Sequence, residues 1–373
     1  MMRIGFDAKR AFYNSRGLGN YSRDTIRILS HNQPDHEYFL YTPKTRKAIE
    51  FPLSSNCTVI QPETFIDKQN PTLWRTFRAC NKINSLHLDI FHGLSNELPI
   101  GIEKTSARSV VTIHDVIFLK FPHLYSWIDQ QLYKRKYIRS CRISDKVIAI
   151  SEHTKKELIE LTDIDEQKID VVYQGCNPIF LKETSKDKLL SVKQKYHLPN
   201  QYLLNVGTIE KRKNQELIIH ALIGGKFDIP LVIIGKPTEY IKELKSLINK
   251  YHLESRIIFL SNVPTEDLPA IYQMAEIFIF PSITEGFGIP ILEALHSKVP
   301  VITSKGSCFE EAGGPDSYYI NHDHVEELIA AIDEVFSNTE MQKKRVDAGL
   351  AYAERFSDST ISKSLMNVYK QLL

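Results

Sequence analysis

The chain has 373 residues, 42% of them hydrophobic and 25% charged, a soluble composition with material for about two domains at roughly 150 residues each. A net charge of +2 excludes the marked basic excess of a nucleic-acid binder. Five scattered cysteines, Cys57, Cys80, Cys141, Cys176 and Cys308, with no C-x-x-C, exclude a disulfide framework and a cysteine zinc site.

The opening MMRIGFDAKRAF has no apolar stretch of signal-peptide length, and no run reaches the ~18 apolar residues of a membrane span. A cytoplasmic protein is therefore expected. Short β-branched runs then alternate with stretches of helical period. The first half offers RIGFDA (Arg3 to Ala8), EYFLYT (Glu37 to Thr42), DIFHG (Asp89 to Gly93), SVVTIHD (Ser109 to Asp115), DKVIAIS (Asp145 to Ser151) and KIDVVYQ (Lys168 to Gln174). The second offers YLLNVG (Tyr202 to Gly207), PLVIIGK (Pro230 to Lys236), RIIFLS (Arg256 to Ser261), EIFIFPS (Glu276 to Ser282) and PVITS (Pro300 to Ser304). Runs apolar on both faces suit parallel strands covered by helices. The alternation predicts an α/β fold of two Rossmann-like, doubly wound parallel sheets facing a cleft. It pauses between Gln174 and Asn200, which sets the domains at 1–177 and 178–355, followed by a helical tail. Ligands of open parallel sheets bind beyond the carboxyl ends of the strands, so the loops after strands carry the chemistry.

In chain order, SRGLGNYSRDTIRIL comes first. Gly17 and Gly19 precede a helix with Asn20 as its expected cap, a glycine loop rather than a dinucleotide fingerprint, because Ser22 holds the third glycine position. His92 and His114 each follow a buried strand. His114 can position a hydroxyl or act near neutral pH, with a histidine satisfied by backbone as the alternative; His92 has the weaker claim. The helix at 131–142, QLYKRKYIRSCR, presents Lys134, Arg135, Lys136, Arg139 and Arg142 either to water or to anionic headgroups. Asp163-Ile164-Asp165 and His322-Asp323-His324 resemble metal motifs but stand at helix boundaries and read as structural.

After YLLNVG comes TIEKRKNQELIIHAL. With Asn214 as the expected N-cap, Lys211, Arg212 and Lys213 crowd the positive end of a helix dipole. Like charge there costs about 0.3–1 kcal/mol each unless an anion is bound, and Arg212 can grip two oxygens at once; the alternative is a solvated basic turn. After EIFIFPS comes TEGFGIPILEALHS, with Glu285 and Glu293 eight residues apart. Pro290 suits a first helical position, which leaves Glu285 on the loop and Glu293 one turn in. Eight residues of helix rise about 12 Å. The two carboxylates therefore suit opposite ends of an elongated ligand and not a close catalytic pair. The alternative is one surface glutamate and one helix-capping glutamate.

Together GLGNYSR, FHGLSNELP, TIHD, VIAISEHTKKEL, VVYQGCNP, VGTIEKRKN, DLPAIYQMAEIFIFPS, EGFGIPILEAL and VPVITS resemble the family 4 retaining glycosyltransferases of GT-B fold, over nearly the whole chain. The resemblance implies catalytic roles for Glu285, His114, Arg212 and Lys213. Glu285 would hold hydroxyls of the donor sugar with the amides of Phe287 and Gly288, and Glu293 would bond the ribose. Arg212 and Lys213 would neutralise the diphosphate, and His114 would sit near the transferred sugar. Gly17, Gly19, Gly207, Thr208, Gly286 and Ile289 would border the donor. The helix 356–373 would cross back onto the first domain. Thr208 departs from the arginine often found there, and Gln174-Gly175-Cys176-Asn177 replaces the usual Asn-Gly-Val-Asp.

The function this implies is a retaining, metal-independent hexosyl transfer in cell-surface polysaccharide synthesis. No cofactor is expected beyond a nucleotide-diphosphate sugar as co-substrate. The TIEKRKN form points to GDP-mannose, with a UDP-sugar as the other choice. The acceptor would be a glycan or lipid-linked glycan, with the helix at 131–142 touching the inner face of the membrane, and no nucleic acid partner is expected. A nucleotide-sugar 2-epimerase, a dinucleotide-dependent oxidoreductase and a non-catalytic scaffold are the alternatives.

Overall fold

Runs such as IFHG and IFIF bury every side chain, so each strand needs cover above and below. The computed structural model, which describes residues 1–14, 17–45 and 51–373, meets that need with two parallel sheets in two compact units. The first unit is Met1–Gly175 with Phe356–Leu373, and the second is Cys176–Arg355.

The first sheet holds β1 (Arg3–Asp7), β2 (Glu37–Tyr41), β3 (Cys57–Ile60), β4 (Ile90–Gly93), β5 (Arg108–Ile113), β6 (Lys146–Ala149) and β7 (Ile169–Val171), in the order β3-β2-β1-β4-β5-β6-β7. The second holds β8 (Leu203–Val206), β9 (Leu231–Ile234), β10 (Ile257–Leu260), β11 (Ile277–Phe280), β12 (Val301–Ser304) and β13 (Tyr318–Ile320), in the order β10-β9-β8-β11-β12-β13. Strand order reverses between β1 and β4 in one sheet and between β8 and β11 in the other. Such reversals open a crevice at the carboxyl edge where ligands settle. Every expected strand is present, one to four residues shorter than its apolar run. β3 and β13 were not expected. Both are short edge strands, and β3 is largely half-exposed, so neither shows a continuous apolar run.

Helix starts follow local chemistry. Ser151 accepts from the Thr154 amide at 3.0 Å to open Glu152–Leu161, and Ser126 accepts from the Asp129 amide at 3.1 Å to open Trp127–Ile143. The expected glycine loop is instead the first turn of the helix Gly17–Asn32; Ser15 and Arg16 before it lie outside the described residues. A Cβ on Gly19 would stand 1.7 Å from the Asn14 carbonyl oxygen, so the close approach of the preceding chain requires glycine there. The terminal helix Asp358–Lys370 packs on Gly17–Asn32, where Arg27 Nη1 meets Asp358 Oδ2 at 2.5 Å.

Deeper down, His92 is fully buried between the Tyr369 hydroxyl at 2.7 Å and Thr112 Oγ1 at 2.8 Å. It therefore ties the terminal helix to the sheet and is saturated by structure, as its weaker claim to a site implied. Burial lowers its pKa to about 3, helped by nearby His114, and burial lowers His114 to about 4.

This pair has a pH consequence. In the unfolded chain both rings titrate near 6.5, so below that value the unfolded state binds more protons than the folded one. Stability is then full above pH 6.5 and falls as pH drops towards 4, by about 1.4 kcal/mol per pH unit for each ring. Hydrogen exchange of the β5 amides at pH 7 and pH 5 should show an opening free energy smaller by roughly 3–4 kcal/mol at the lower pH. Equal protection at both values would contradict the neutral, buried state of the two rings.

Candidate active site

The crevice at the β8–β11 reversal is built from three loops. After β8 the chain runs through Gly207 and Thr208 into a tight turn at Lys211–Lys213, and then into the helix Gln215–Gly224. After β11 it runs through Glu285 to the helix Ile289–His296. Backbone joins the two, because the Ile283 amide donates to the Arg212 carbonyl at 2.9 Å. The loop after β12 props them up: Ser307 Oγ accepts from the Glu285 amide at 3.3 Å, and the Cys308 thiol contacts the Glu285 and Phe287 carbonyls.

Asn214 departs from its expected role. It adopts the left-handed conformation at φ 57° and makes no side-chain cap. Its amide instead donates to the His322 carbonyl at 2.6 Å and the Pro281 carbonyl at 3.2 Å. The basic turn is held by those bonds. The Gln215 side chain adds one more, to the Thr208 carbonyl at 3.1 Å.

At the centre, Glu285 lies between both cations. Arg212 Nη1 is 2.8 Å and Lys213 Nζ 2.5 Å from Glu285 Oε1. Arg212 also donates to the Thr284 carbonyl at 2.6 Å and to Glu210 at 2.7 Å, and Lys213 Nζ rides 4.8 Å over the Phe280 ring. The three charged side chains are only 12–18% exposed. Burial alone would raise the carboxyl of Glu285, but the Lys213 and Arg212 charges overcome that and hold it at about 2. Its ionised form therefore contributes stability above pH 4.5 that is lost only as pH falls towards 2. Gly207 lies beside the Lys213 side chain.

The segment between the two glutamates behaves as its composition dictates. Gly288 has φ 149°, a value L side chains rarely adopt, and starts the helix without a side-chain cap; Pro290 takes the first turn. Phe287 is buried, and Gly286 and Ile289 flank it at intermediate exposure. Glu293, one turn in, accepts from the fully buried Tyr272 hydroxyl at 2.8 Å. The two carboxylates thus stand at separate places with different partners, Glu285 on cations and Glu293 on a phenol.

His114 belongs to the first unit, beyond the end of β5. Its amide donates to Asn96 Oδ1 at 2.8 Å, and Tyr21 meets its ring edge-on at 4.5 Å. Nε2 lies 2.9 Å from the Leu94 carbonyl. A carbonyl only accepts, so Nε2 carries the proton and Nδ1 is left as an acceptor nitrogen. Gly17 and Gly19 lie in the same unit, at the start of the helix that carries Tyr21.

The two metal-like motifs are structural. Asp163 pairs with Arg142 at 2.8 Å, and Asp165 caps a short turn through the Gln167 amide. His324, and not Asp323, takes the position before the helix Val325–Ser337, and bonds Glu327 at 3.1 Å. Among the described residues no three histidine, cysteine or acidic side chains gather as metal ligands. No helix among them is long and apolar enough to cross a membrane.

Sequence reading missed Glu210, Tyr272 and Ser307. Glu210 was visible inside TIEKRKN, and Ser307 follows a strand that had been recognised, so the loop-after-strand rule covered it. Tyr272 lies inside DLPAIYQMAEIFIFPS, but no residue beside it shows that its hydroxyl reaches Glu293.

Comparison with known proteins follows the two units. Residues 16–179 match the family described as Glycosyltransferase Family 4, and residues 187–351 match Glycosyl transferases group 1. O-antigen chain mannosyltransferase B of Escherichia coli is 27% identical over 391 residues, covering 100% of both chains. The serotype-specific mannosyltransferase WbdA of Escherichia coli is 27% identical over 297 residues, 77% of this chain and 36% of that one, so the chain spans about a third of it. In fold, Anabaena Alr3699/HepE in complex with UDP and glucose superposes with a TM-score of 0.78 at 19% identity over 100% of both chains.

The buried charge cluster makes its own stability prediction. Removing one partner strands the others, so Glu285→Gln and Lys213→Met should each destabilise the chain by about 3 kcal/mol in urea unfolding. The double variant should lose clearly less than the sum. Additive losses would show that the charges do not depend on one another.

Proposed function

Because the chain belongs to the glycosyltransferases that join a Family 4 segment to a group 1 segment, we propose that it moves a mannosyl group from GDP-mannose to a growing O-antigen-type glycan, with retention of anomeric configuration. One observation carries this reading: Glu285 lies between Arg212 and Lys213 at the strand-order reversal of the second sheet. Support for the sugar comes from the mannosyltransferase relatives. The relatives named above are mannosyltransferases, which favours neither the epimerase nor the dinucleotide oxidoreductase. The oxidoreductase also lacks its glycine turn, since the helix Lys9–Tyr13 stands between β1 and Gly17.

The chemistry follows from charge. Breaking a sugar–diphosphate bond builds negative charge on the departing phosphate and positive character on the anomeric carbon. Arg212 and Lys213 are already held in place and would take over the diphosphate oxygens, as preorganised donors worth about 10²–10³ in rate each. Glu285 would then be released from them to accept hydrogen bonds from sugar hydroxyls. Two fixed cations supply the charge stabilisation that a divalent metal gives elsewhere, so the proposed reaction proceeds without one. Glu293, set by Tyr272, would face the ribose, and Nδ1 of His114 would accept from a sugar hydroxyl. No carboxylate is assigned as nucleophile. The leaving phosphate would take the proton of the acceptor hydroxyl as the new bond forms on the same face of the sugar.

With GDP-mannose and a mannosyl acceptor, Glu285→Ala should lower kcat by about 10²-fold or more, and near-normal turnover would remove Glu285 from the reaction. Replacing Arg212 and Lys213 by alanine should raise the dissociation constant of GDP at least tenfold. An unchanged constant would remove them from the diphosphate. Activity should persist in chelator, and its loss would restore a metal to the mechanism.

A further inference from the structure

Two successive residues after β12 take left-handed backbone, Gly306 at φ 77° and Ser307 at φ 55°. At Gly306 the residue type answers the backbone: a Cβ there would meet nothing within 4 Å, so glycine is present for its φ and not for space. Ser307 meets the same demand with a side chain. Its Cβ is pressed towards the following carbonyl oxygen, which makes this region uncommon for residues other than glycine. Such a conformation persists only where the surroundings over-determine it. Here they do. β12 is wholly buried between β11 and β13. The Lys305 amide donates to the Ile320 carbonyl at 2.7 Å, and the Gly306 amide to Glu310 Oε1 at 2.8 Å. Fully buried Phe309 fixes the chain on the other side.

The conformation secures two hydrogen bonds to one residue. A hydroxyl can accept and donate at once. Ser307 Oγ accepts from the Glu285 amide at 3.3 Å and donates to the Glu285 carbonyl at 3.2 Å. One side chain therefore closes both main-chain groups of the glutamate that lies between Arg212 and Lys213. Cys308 adds to the hold, since its thiol contacts the Phe287 carbonyl as well as the Glu285 carbonyl, the latter at 3.4 Å. Burial pushes that thiol up and the Glu285 charge adds to the shift, so it keeps its proton and stays a donor. Two successive side chains of one loop thus hold the main chain of another. Glycine at 307 would fit the backbone better and would hold nothing.

We infer that Ser307 is a positioning residue for Glu285, and that its left-handed backbone is tolerated for that purpose. In the resting arrangement the carboxylate is fixed by Arg212 and Lys213. When those cations turn to a diphosphate the carboxylate loses them, and the main-chain clamp keeps it aimed. Misplacing a reacting group by about 1 Å can cost 10²-fold in rate, so the clamp acts on turnover. It stands on its own geometry; the reaction it serves rests on the proposed glycosyl transfer.

Three variants separate the hydroxyl from the Cβ. Ser307→Gly removes both, Ser307→Ala keeps the Cβ, and Ser307→Thr keeps the hydroxyl while adding the β-branch least suited to φ 55°. In urea unfolding of the full chain the glycine variant should be more stable than the alanine variant, and the threonine variant less stable than the native chain. Turnover of GDP-mannose should follow the hydroxyl instead. We expect kcat to fall by about tenfold or more in the glycine and alanine variants alike and to stay near native in the threonine variant, with GDP binding unchanged in all three. Amide exchange read by mass spectrometry over residues 284–288 should quicken in the glycine and alanine variants. Unchanged exchange removes the clamp. Quickened exchange with native kcat removes the positioning role, as does a kcat that follows the urea ranking or falls together with GDP binding. The glycine and alanine pair decides this alone if the threonine variant does not fold. Near-native turnover by Glu285→Ala would overturn the transfer reading instead, and the exchange measurement would still decide the clamp.

Discussion

A carboxylate cannot be buried alone, and neither can two cations. That constraint organises the second unit. Glu285, Arg212 and Lys213 come from loops 72 residues apart in sequence, and each is tolerable inside the protein only because the others are there. Everything around them serves that meeting. The Ile283 amide joins the loops, Asn214 anchors the basic turn to two carbonyls, and Ser307 steadies Glu285 from a third loop. The cluster is a stable resting arrangement and also a latent anion site, because a diphosphate offers the cations the same kind of partner that Glu285 does.

The two sheets repeat one solution. Each reverses its strand order once, and each gathers charge at the carboxyl edge of that reversal. In the second unit the charge is nearly balanced by Glu285 and Glu210. In the first, Arg75 is balanced by Asp7 and Glu97, while Lys9, Arg10 and Arg135 form no ion pair among the described residues. A balanced crevice suits a ligand that exchanges partners with the protein. The two histidines show a similar division: His92 spends both nitrogens on Tyr369 and Thr112, whereas His114 keeps one as an acceptor.

Most of the fold was legible because buried parallel strands are nearly pure hydrocarbon, and such runs stand out between helical periods. β3 and β13 were illegible for the opposite reason: CTVI and YYI are short, partly exposed runs without the aliphatic density that made the other edge strands, β7 and β10, visible. In the site, sequence gave the residue types and their loops. Glycine and proline between the glutamates set the helix start at Ile289, as their conformational limits require. It did not give the ion pairs. Glu285 and Lys213 were read as gripping different parts of a ligand, because nothing in a linear chain shows that the two loops touch. Asn214 stands at the expected N-cap position, but its side chain makes no capping bond, because its amide bonds residues remote in sequence. The pairing of Glu293 with Tyr272 was hidden for the same reason.

The central claim is that Glu285 and a diphosphate compete for one pair of cations. It is tested most directly by titrating GDP into the native chain and into Glu285→Gln at low salt. Removing the competing charge should make GDP bind several-fold more tightly to the variant, with the gain shrinking as salt is raised. Equal or weaker binding by the variant would mean that Glu285 helps to hold the diphosphate or never meets it, and the exchange of partners would have to be abandoned.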